Sequence, residues 1–412
     1  MKALVLAGGF PQIALIEELK KRNITVLLAD YYENPIAKPY ADVFFQASTL
    51  DVDAIRKIAI DEKVDFLITA CTDQALLTVA KVSEELGLPC YIDYKTALNV
   101  TNKSYMKEVF ETHEISTAKH RVMAELEIDK IKNLRYPLIV KPVDCNSSKG
   151  VKKVYNEEEL KVAFDEAVEL SRTETAIVEE YIQGLEITVD VQVEDGKAYV
   201  LSKAYSDKIA DDDKFVIFRT RYPIDETDKV HTQIQDIAQK IADAFGLKNS
   251  LMLIQMISDG DSVYVLEFSA RTGGGVKYQL IKKVSGFDVI EAVVDLTLQK
   301  VPHVEIQKSE SKFITNVFLY CNPGIYDHLE GFEELKQAKI MSDYFVFKWK
   351  GAKMNHATNS GDRIAGFTLQ DDTLEGLQLK YQQILDKIKV IDVEGNDIMR
   401  HELLSPLDYT NK

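Results

Sequence analysis

The sequence predicts a mixed α/β and α+β protein in three parts. Strands alternate with amphipathic helices over the first hundred residues, a β-hairpin closes a β-rich middle, and a shorter strand, loop, helix and strand end the chain. Alternation at that spacing implies a parallel sheet with right-handed crossovers, whereas tight polar turns between apolar runs imply antiparallel strands. With 412 residues, 46% hydrophobic and 28% charged, the chain has the composition of a globular protein of about two to four domains.

Residues 1–100 read as a Rossmann-like parallel-sheet domain. KALVLAG is a buried strand, and PQIALIEELKKRN is an amphipathic helix with Pro11 near its start. ITVLLAD, ADVFFQAS and VDFLITA continue the strands, with helices over DVDAIRKIAIDEK and DQALLTVAKVSEELG. Gly8 and Gly9 at the first turn, with Asp30 ending the second strand, invite a dinucleotide reading. The full glycine fingerprint is absent because Phe10-Pro11-Gln12 follows, so a tight turn at the ligand-bearing edge of the sheet is the better expectation. Asp73 and Gln74 lie at that same edge, where helix capping is their simplest role.

Residues 101–300 form the expected middle domain. NKSYMKEVFETHEI is a helix carrying Lys103 and Lys107. Lys141 lies inside the apolar strand YPLIVKP, where an ammonium without a partner is costly, so it calls for an anion. The loop DCNSSKG offers small hydroxyls and backbone amides that could cover phosphates, although it is not a Walker A pattern. A solvated loop with Lys141 reaching outward is the plainer alternative. An acidic-started helix, NEEELKVAFDEAVELS, leads into a strand ending at Glu179, Glu180, Tyr181 and Ile182. Backbone groups at such a strand end can read a base edge. Glu186 follows Gly184 as a candidate sugar-binding acid, and Lys203 is another lysine in a strand. The acidic run 211–213 reads as a solvated loop.

LMLIQMIS and SVYVLEFS are β-rich runs joined by DGD, a hairpin signal that places Gln255 opposite Glu267. Glu267, Ser269 and Arg271 alternate, so they share one face of the strand. Carboxylate and hydroxyl oxygens suit Mg2+, and an arginine fork suits phosphate or carboxylate oxygens. An ordinary hairpin with a solvated polar face would carry the same residues. Three glycines, 273–275, follow and would let an acceptor approach the backbone closely. Residues 301–412 read as a small C-terminal α/β unit, with Arg363 in its loop either facing the cleft or pairing with a surface carboxylate.

In this order, NKSYMK, YPLIVKP with its loop and glycine, VEEYIQGLEITVD and LEFSARTGGG together resemble the ATP-grasp superfamily, of the carboxylate-amine ligase type. That type is related to carbamoyl-phosphate synthetase, biotin carboxylase and L-amino-acid ligases. The resemblance covers essentially the whole chain. It implies a nucleotide clamped between two subdomains, the first spanning about 115–185, with the C-terminal unit completing the cleft. It implies ATP and Mg2+ as cofactors and small-molecule carboxylate and amine substrates, and it allows a homodimer. By this similarity Lys103 and Lys141 contact phosphates, and the loop with Ser147, Ser148 and Gly150 closes over them. Glu179 to Ile182 form the adenine hinge, Glu186 holds the ribose, and Lys203 is included with the nucleotide site. Glu267, Gln255 and Ser269 bind the metal, and Arg271 holds the transferred phosphoryl group. Gln255 stands where relatives usually carry a second carboxylate, and Ser269 where many carry asparagine.

The implied function is joining of a carboxylate to an amine through an acyl-phosphate, with release of ADP and phosphate. A bicarbonate-phosphorylating enzyme and a nucleotide-binding regulator with a weakened metal site are the alternatives, while the broken glycine pattern disfavours an oxidoreductase. A net charge of −16 argues against non-specific nucleic-acid binding. No apolar run reaches the roughly 18 residues of a membrane span, and the start lacks signal-peptide features. Cys71, Cys90, Cys145 and Cys321 show neither zinc spacing nor a disulfide framework, so a cytoplasmic, reducing setting is expected.

Overall fold

The computed structural model describes residues 1–145, 149–209, 215–407 and 409. The first unit contains β1 (Lys2–Leu6), α1 (Phe10–Lys21), β2 (Thr25–Asp30), β3 (Val43–Gln46), α2 (Val52–Asp61), β4 (Phe66–Ile68) and α3 (Asp73–Leu86). Its four strands form a parallel sheet in the order β3-β2-β1-β4, as the strand-helix alternation implies. Asp30 organises the first turn from within: it accepts from the Gly8 amide at 2.6 Å and the Tyr32 amide at 2.8 Å. A Cβ on Gly8 would meet Pro35 at 2.5 Å. The pair of glycines thus serves a crowded turn, and the Asp30 carboxylate is spent on it.

Two helices, α4 (Tyr94–Thr101) and α5 (Lys103–Thr112), lead to a four-stranded antiparallel sheet. It is built from β5 (His120–Met123), α6 (Ile128–Ile131), β6 (Leu138–Pro142), β7 (Lys152–Val154), α7 (Glu157–Leu170) and β8 (Ala176–Glu180). Asn156 caps α7 by accepting from the Glu159 amide, and Glu157 and Glu158 follow in the positive first turn.

The central sheet has eight strands. It begins with β9 (Leu185–Glu194), β10 (Lys197–Lys208) and β11 (Ile217–Tyr222), then α8 (Asp228–Ala244), β12 (Ser250–Ser258) and β13 (Val263–Ser269). Asp195 and Gly196, both at positive φ, make the expected turn between β9 and β10. The β12–β13 hairpin pairs Gln255 with Glu267, and a bulge follows, where Met256 moves on to face Val265. Bulges of this kind re-aim side chains beside a site. Two helices, α9 (Lys277–Ser285) and α10 (Val289–Thr297), cover one face.

The remaining elements are β14 (Phe313–Leu319), β15 (Gly324–Glu330), α11 (Phe332–Gln337), β16 (Asp343–Val346), β17 (Lys353–Met354), β18 (Ala365–Asp371), α12 (Leu374–Leu385) and β19 (Lys389–Asp392). Here the structure corrects the expectation of a separate C-terminal unit. β14, β18 and β16 extend the central sheet from β11, while only β15, β17 and β19 form a small sheet of their own. The loop expected around Arg363, HATNSGDRIAGFTLQ, runs into β18 in its second half.

The N-terminal sheet is locked onto the central one. Ile16 and Leu19 of α1 share a buried cluster with Val293 and Val294 of α10 and Leu251 of β12, and Arg22 pairs with Asp295. On the other face of β13, the Phe268 ring packs 4.6 Å from Phe245 and is 2% exposed. Phe268→Ala is expected to cost about 3–5 kcal/mol in urea unfolding, the usual penalty for emptying a buried ring.

Candidate active site

A cleft of about 390 Å³ opens between the four-stranded sheet and the hairpin end of the central sheet. One end is apolar, lined by Ile139, Ile182, Ile257 and Leu266. The other end is charged, and three elements build it. α5 carries Lys103 and Lys107 one turn apart, β6 carries Lys141, and β8 carries Glu179. Glu179 is 2% exposed and ion-paired to Lys141, and Lys107 Nζ lies 2.9 Å from its other oxygen. Burial would raise the Glu179 carboxyl, but the two ammonium groups hold it down at about 2. Burial in turn pulls Lys107 below the ordinary lysine range, against the attraction of Glu179. Lys107 also donates to Thr117 Oγ1 at 2.6 Å.

Lys103 bridges this cluster to the hairpin. Its Nζ lies 3.0 Å from Glu267 Oε2 and 2.7 Å from the Cys145 carbonyl. Across the strand pair, Gln255 Nε2 donates to Glu186 at 3.0 Å, and Lys208 Nζ holds the other Glu186 oxygen at 2.8 Å. Lys208 thus also lines the cleft, a residue that no sequence pattern singled out. Among the described residues no three His, Cys, Asp or Glu side chains gather as a metal cluster. At the hairpin the cleft is faced by the Glu267 carboxylate and the Gln255 amide, while Ser269, two residues on, lies outside its lining and hydrogen-bonds Asp73. Such hard oxygen donors fit a Mg2+ that takes its remaining ligands from phosphate and water.

The predicted residues divide as follows. Lys103, Lys141, Glu179, Glu180, Tyr181, Ile182, Glu186, Gln255 and Glu267 line the cleft. The Glu180 and Tyr181 amides are engaged by the Lys119 and Pro137 carbonyls. Ser147 and Ser148 lie outside the described residues. Gly150 has a φ of +73° and packs where a Cβ would sit 2.7 Å from Leu170. Lys203 is a correction: it points to the opposite face, toward α8, where Nζ meets His231 Nδ1 at 2.9 Å. Strand alternation sends Lys203 and its neighbours Ser202 and Ala204 to different faces.

Arg271 lies in an adjoining pocket of about 490 Å³ with Cys71, Asp73, Lys149 and Arg172. Its guanidinium forms a bidentate pair with Asp73 at the start of α3. This replaces the expected capping role of Asp73, since Thr72 holds the N-cap position. Burial would raise Asp73, but Arg271, Ser269 and Lys103 outweigh it and keep the carboxyl below its usual range. Arg363 stacks on Phe318 at 3.7 Å and donates to Tyr320 Oη and the Ile217 carbonyl, so it is not engaged as a surface ion pair. Its Nη1 approaches within 3.2 Å of where a Cβ on Gly275 would be. That glycine therefore makes room for an internal side chain, whereas space opens over Gly274.

Comparison with known proteins agrees with this geometry. The D-ala D-ala ligase C-terminus family matches residues 98–274, from α4 through the hairpin to Gly274. Over this segment the chain resembles the ATP-grasp enzymes. The carbamoyl phosphate synthase large chain of Clostridium acetobutylicum is 24% identical over 321 residues, 74% of this chain but 29% of that one. The chain thus spans less than a third of that relative. The formate-dependent phosphoribosylglycinamide formyltransferase of Methanocaldococcus jannaschii is 26% identical over 72% of this chain and 77% of its own. Among solved structures, the L-amino acid ligase from Bacillus licheniformis superposes with a TM-score of 0.79 at 20% identity, covering 95% of this chain and 99% of that one. The biotin carboxylase domain dimer of Hydrogenobacter thermophilus 2-oxoglutarate carboxylase gives 0.78 at 14% identity, covering 97% and 92%. That domain was solved with MgADP, ADP and bicarbonate. No helix among the described residues is long and apolar enough to cross a membrane.

The Glu179 cluster generates a test. Its folded-state pKa lies below the ordinary 4.5, so its stabilising contribution is present above that value and is lost as pH falls from about 4.5 towards 2. Glu179→Gln strands two buried ammonium groups and is expected to cost about 3–5 kcal/mol at neutral pH. Between about pH 6, above that window, and about pH 3, inside it, the urea midpoint should fall steeply for the parent chain and much less for the variant.

Proposed function

We propose that this chain is an ATP-grasp ligase that activates a carboxylate as an acyl-phosphate and joins it to an amine, releasing ADP and phosphate. The observation that carries the reading is the charge balance at the cleft's polar end. Among the described residues Lys103, Lys107 and Lys141 are ion-paired to Glu179 and Glu267, three cations to two carboxylates, and a buried surplus of cation asks for an anionic ligand. A nucleotide triphosphate fits, with its base in the apolar end beside Tyr181 and Ile182 and its sugar near Glu186. The Glu180 and Tyr181 amides are occupied, which leaves the base edge to Ile182 and the segment's carbonyls. Glu267, with Gln255 and Ser269, would hold Mg2+, which supplies charge neutralisation on the phosphates.

Phosphoryl transfer is chiefly positioning and charge stabilisation. Lys141 and Lys103 steady the transferred group, and Glu179 holds Lys141 in place. Arg271, aimed by Asp73, meets the carboxylate side and holds the acyl-phosphate until the amine displaces phosphate. Cys145 and Lys149 border both pockets, and exclusion of water at that junction would protect the acyl-phosphate from hydrolysis. The Arg271 pocket, at about 490 Å³, is far larger than bicarbonate requires and favours an organic acid over the carboxylase alternative.

Lys141→Met and Glu267→Gln should each lower ADP release by about 10²–10³-fold while the far-UV CD spectrum is retained. Near-normal turnover by a folded Glu267→Gln protein would remove the metal assignment. Gln255→Glu adds a second carboxylate opposite Glu267 and should lower the Mg2+ concentration for half-maximal rate; an unchanged magnesium titration would place the metal elsewhere.

A further inference from the structure

β9 carries a polar side chain at every second position: Glu186, Thr188, Asp190 and Gln192, none more than 7% exposed. The apolar face between them, Ile187, Val189, Val191 and Val193, belongs to the core. Glu186 is held by Gln255 and Lys208, and Thr188 by Ser206 at 2.7 Å. Asp190 and Gln192 are each held at one atom: Asp190 Oδ2 accepts from Ser202 Oγ at 2.7 Å and Gln192 Nε2 donates to the Val193 carbonyl, while Asp190 Oδ1 and Gln192 Oε1 are buried with no hydrogen-bond partner among the described residues.

The first residue of α9, Lys277, faces the same place. It is 7% exposed, and its Nζ is likewise buried with no hydrogen-bond partner among the described residues. Both groups border Gly273: a Cβ there would lie 3.0 Å from Lys277 Cγ and 3.2 Å from Asp190 Oδ1. An ammonium and a carboxylate thus flank one glycine and sense each other's charge, yet no ion pair between them is formed among the described residues, and neither Nζ nor Oδ1 has a hydrogen bond there. Buried charges ordinarily pair, because leaving them apart is expensive. Held apart in this way, they form a preorganised clamp for a ligand that carries the opposite charge at each end.

The position suits the second substrate. Leu253 pairs with Ser269 on one side and Asp190 on the other, so Asp190 continues the row that begins at the hairpin's polar face. The Arg271 charge reaches Asp190, and the Arg363 charge reaches Lys277. Thr272 Oγ1, in the residue before Gly273, is a further buried polar atom with no hydrogen-bond partner among the described residues.

We propose that Asp190 and Lys277 are specificity residues that bind an α-amino acid as the amine substrate, Asp190 taking its ammonium group and Lys277 its carboxylate. The role as amine substrate rests on the ligase reading above, while the binding itself can be measured alone. The full-length chain, with Mg2+ and a non-hydrolysable ATP analogue, is titrated by calorimetry with each common L-α-amino acid. Any that binds is compared with its α-amide, which keeps the amine and lacks the carboxylate charge. The parent chain should prefer the acid to the amide by about tenfold or more, the worth of a charge-assisted hydrogen bond.

Lys277→Met should erase that preference by weakening the acid about tenfold and the amide less than about twofold, and Lys277→Arg should restore most of it. Asp190→Asn, nearly isosteric, should weaken acid and amide together. Heat stability of these variants at or above the parent's would show that the loss is in recognition and not in folding. The inference is overturned if no amino acid binds, if acid and amide bind the parent equally, or if folded Lys277→Met keeps the parent's preference. Release of ADP is scored separately on the parent chain. Charge-selective binding without ADP release from any acid and amine combination keeps the subsite and refutes the ligase reading; acceptor-dependent release with no change in Lys277→Met does the reverse.

Discussion

The site depends on the placement of Glu179 between Lys107 and Lys141. Taking three charges out of water is costly, and such a group persists only where geometry is favourable and each member is held. Here β8 supplies the carboxylate, β6 one ammonium and α5 the other, so the contact joins the helix to the small antiparallel sheet. Lys103, one turn earlier on α5, carries the link to Glu267 on β13. One carboxylate between two lysines therefore sets the distance across the cleft and leaves it a surplus of positive charge.

A second ion pair brings the chemistry to the nucleotide's end. Arg271 follows β13 directly, and Asp73 begins the helix after β4, so their contact ties the carboxyl edge of the N-terminal sheet to the hairpin. Open parallel sheets place ligands at that edge, and the central sheet places its polar face there as well. The buried cluster shared by α1, α10 and β12 makes the junction fixed. The two pockets consequently meet with Lys149 and Cys145 lining both.

Much of this was legible from local patterns. The hairpin register followed from DGD between two β-rich runs, and Lys141 announced itself as a lysine in an apolar strand. The limits were equally physical. Lys203 shares that signature, yet strand alternation turns it toward α8, and only knowledge of which face is covered separates the two. Asp73 sits where caps sit, and its partner lies 198 residues away. The C-terminal edge strands are short and join the sheet by pairings remote in sequence. Asp190 had a readable signal, the alternation of Glu186, Thr188, Asp190 and Gln192, but Lys277 gave none because its burial arises from α9 packing over Gly273.

The most direct test is a crystal structure with Mg2+ and a non-hydrolysable ATP analogue. The account predicts the terminal phosphate between Lys103, Lys141 and Glu267, the metal on Glu267 beside Gln255, and the base against Tyr181 and Ile182. A nucleotide bound elsewhere, or one whose phosphates leave Lys141 and Glu179 untouched, would contradict it.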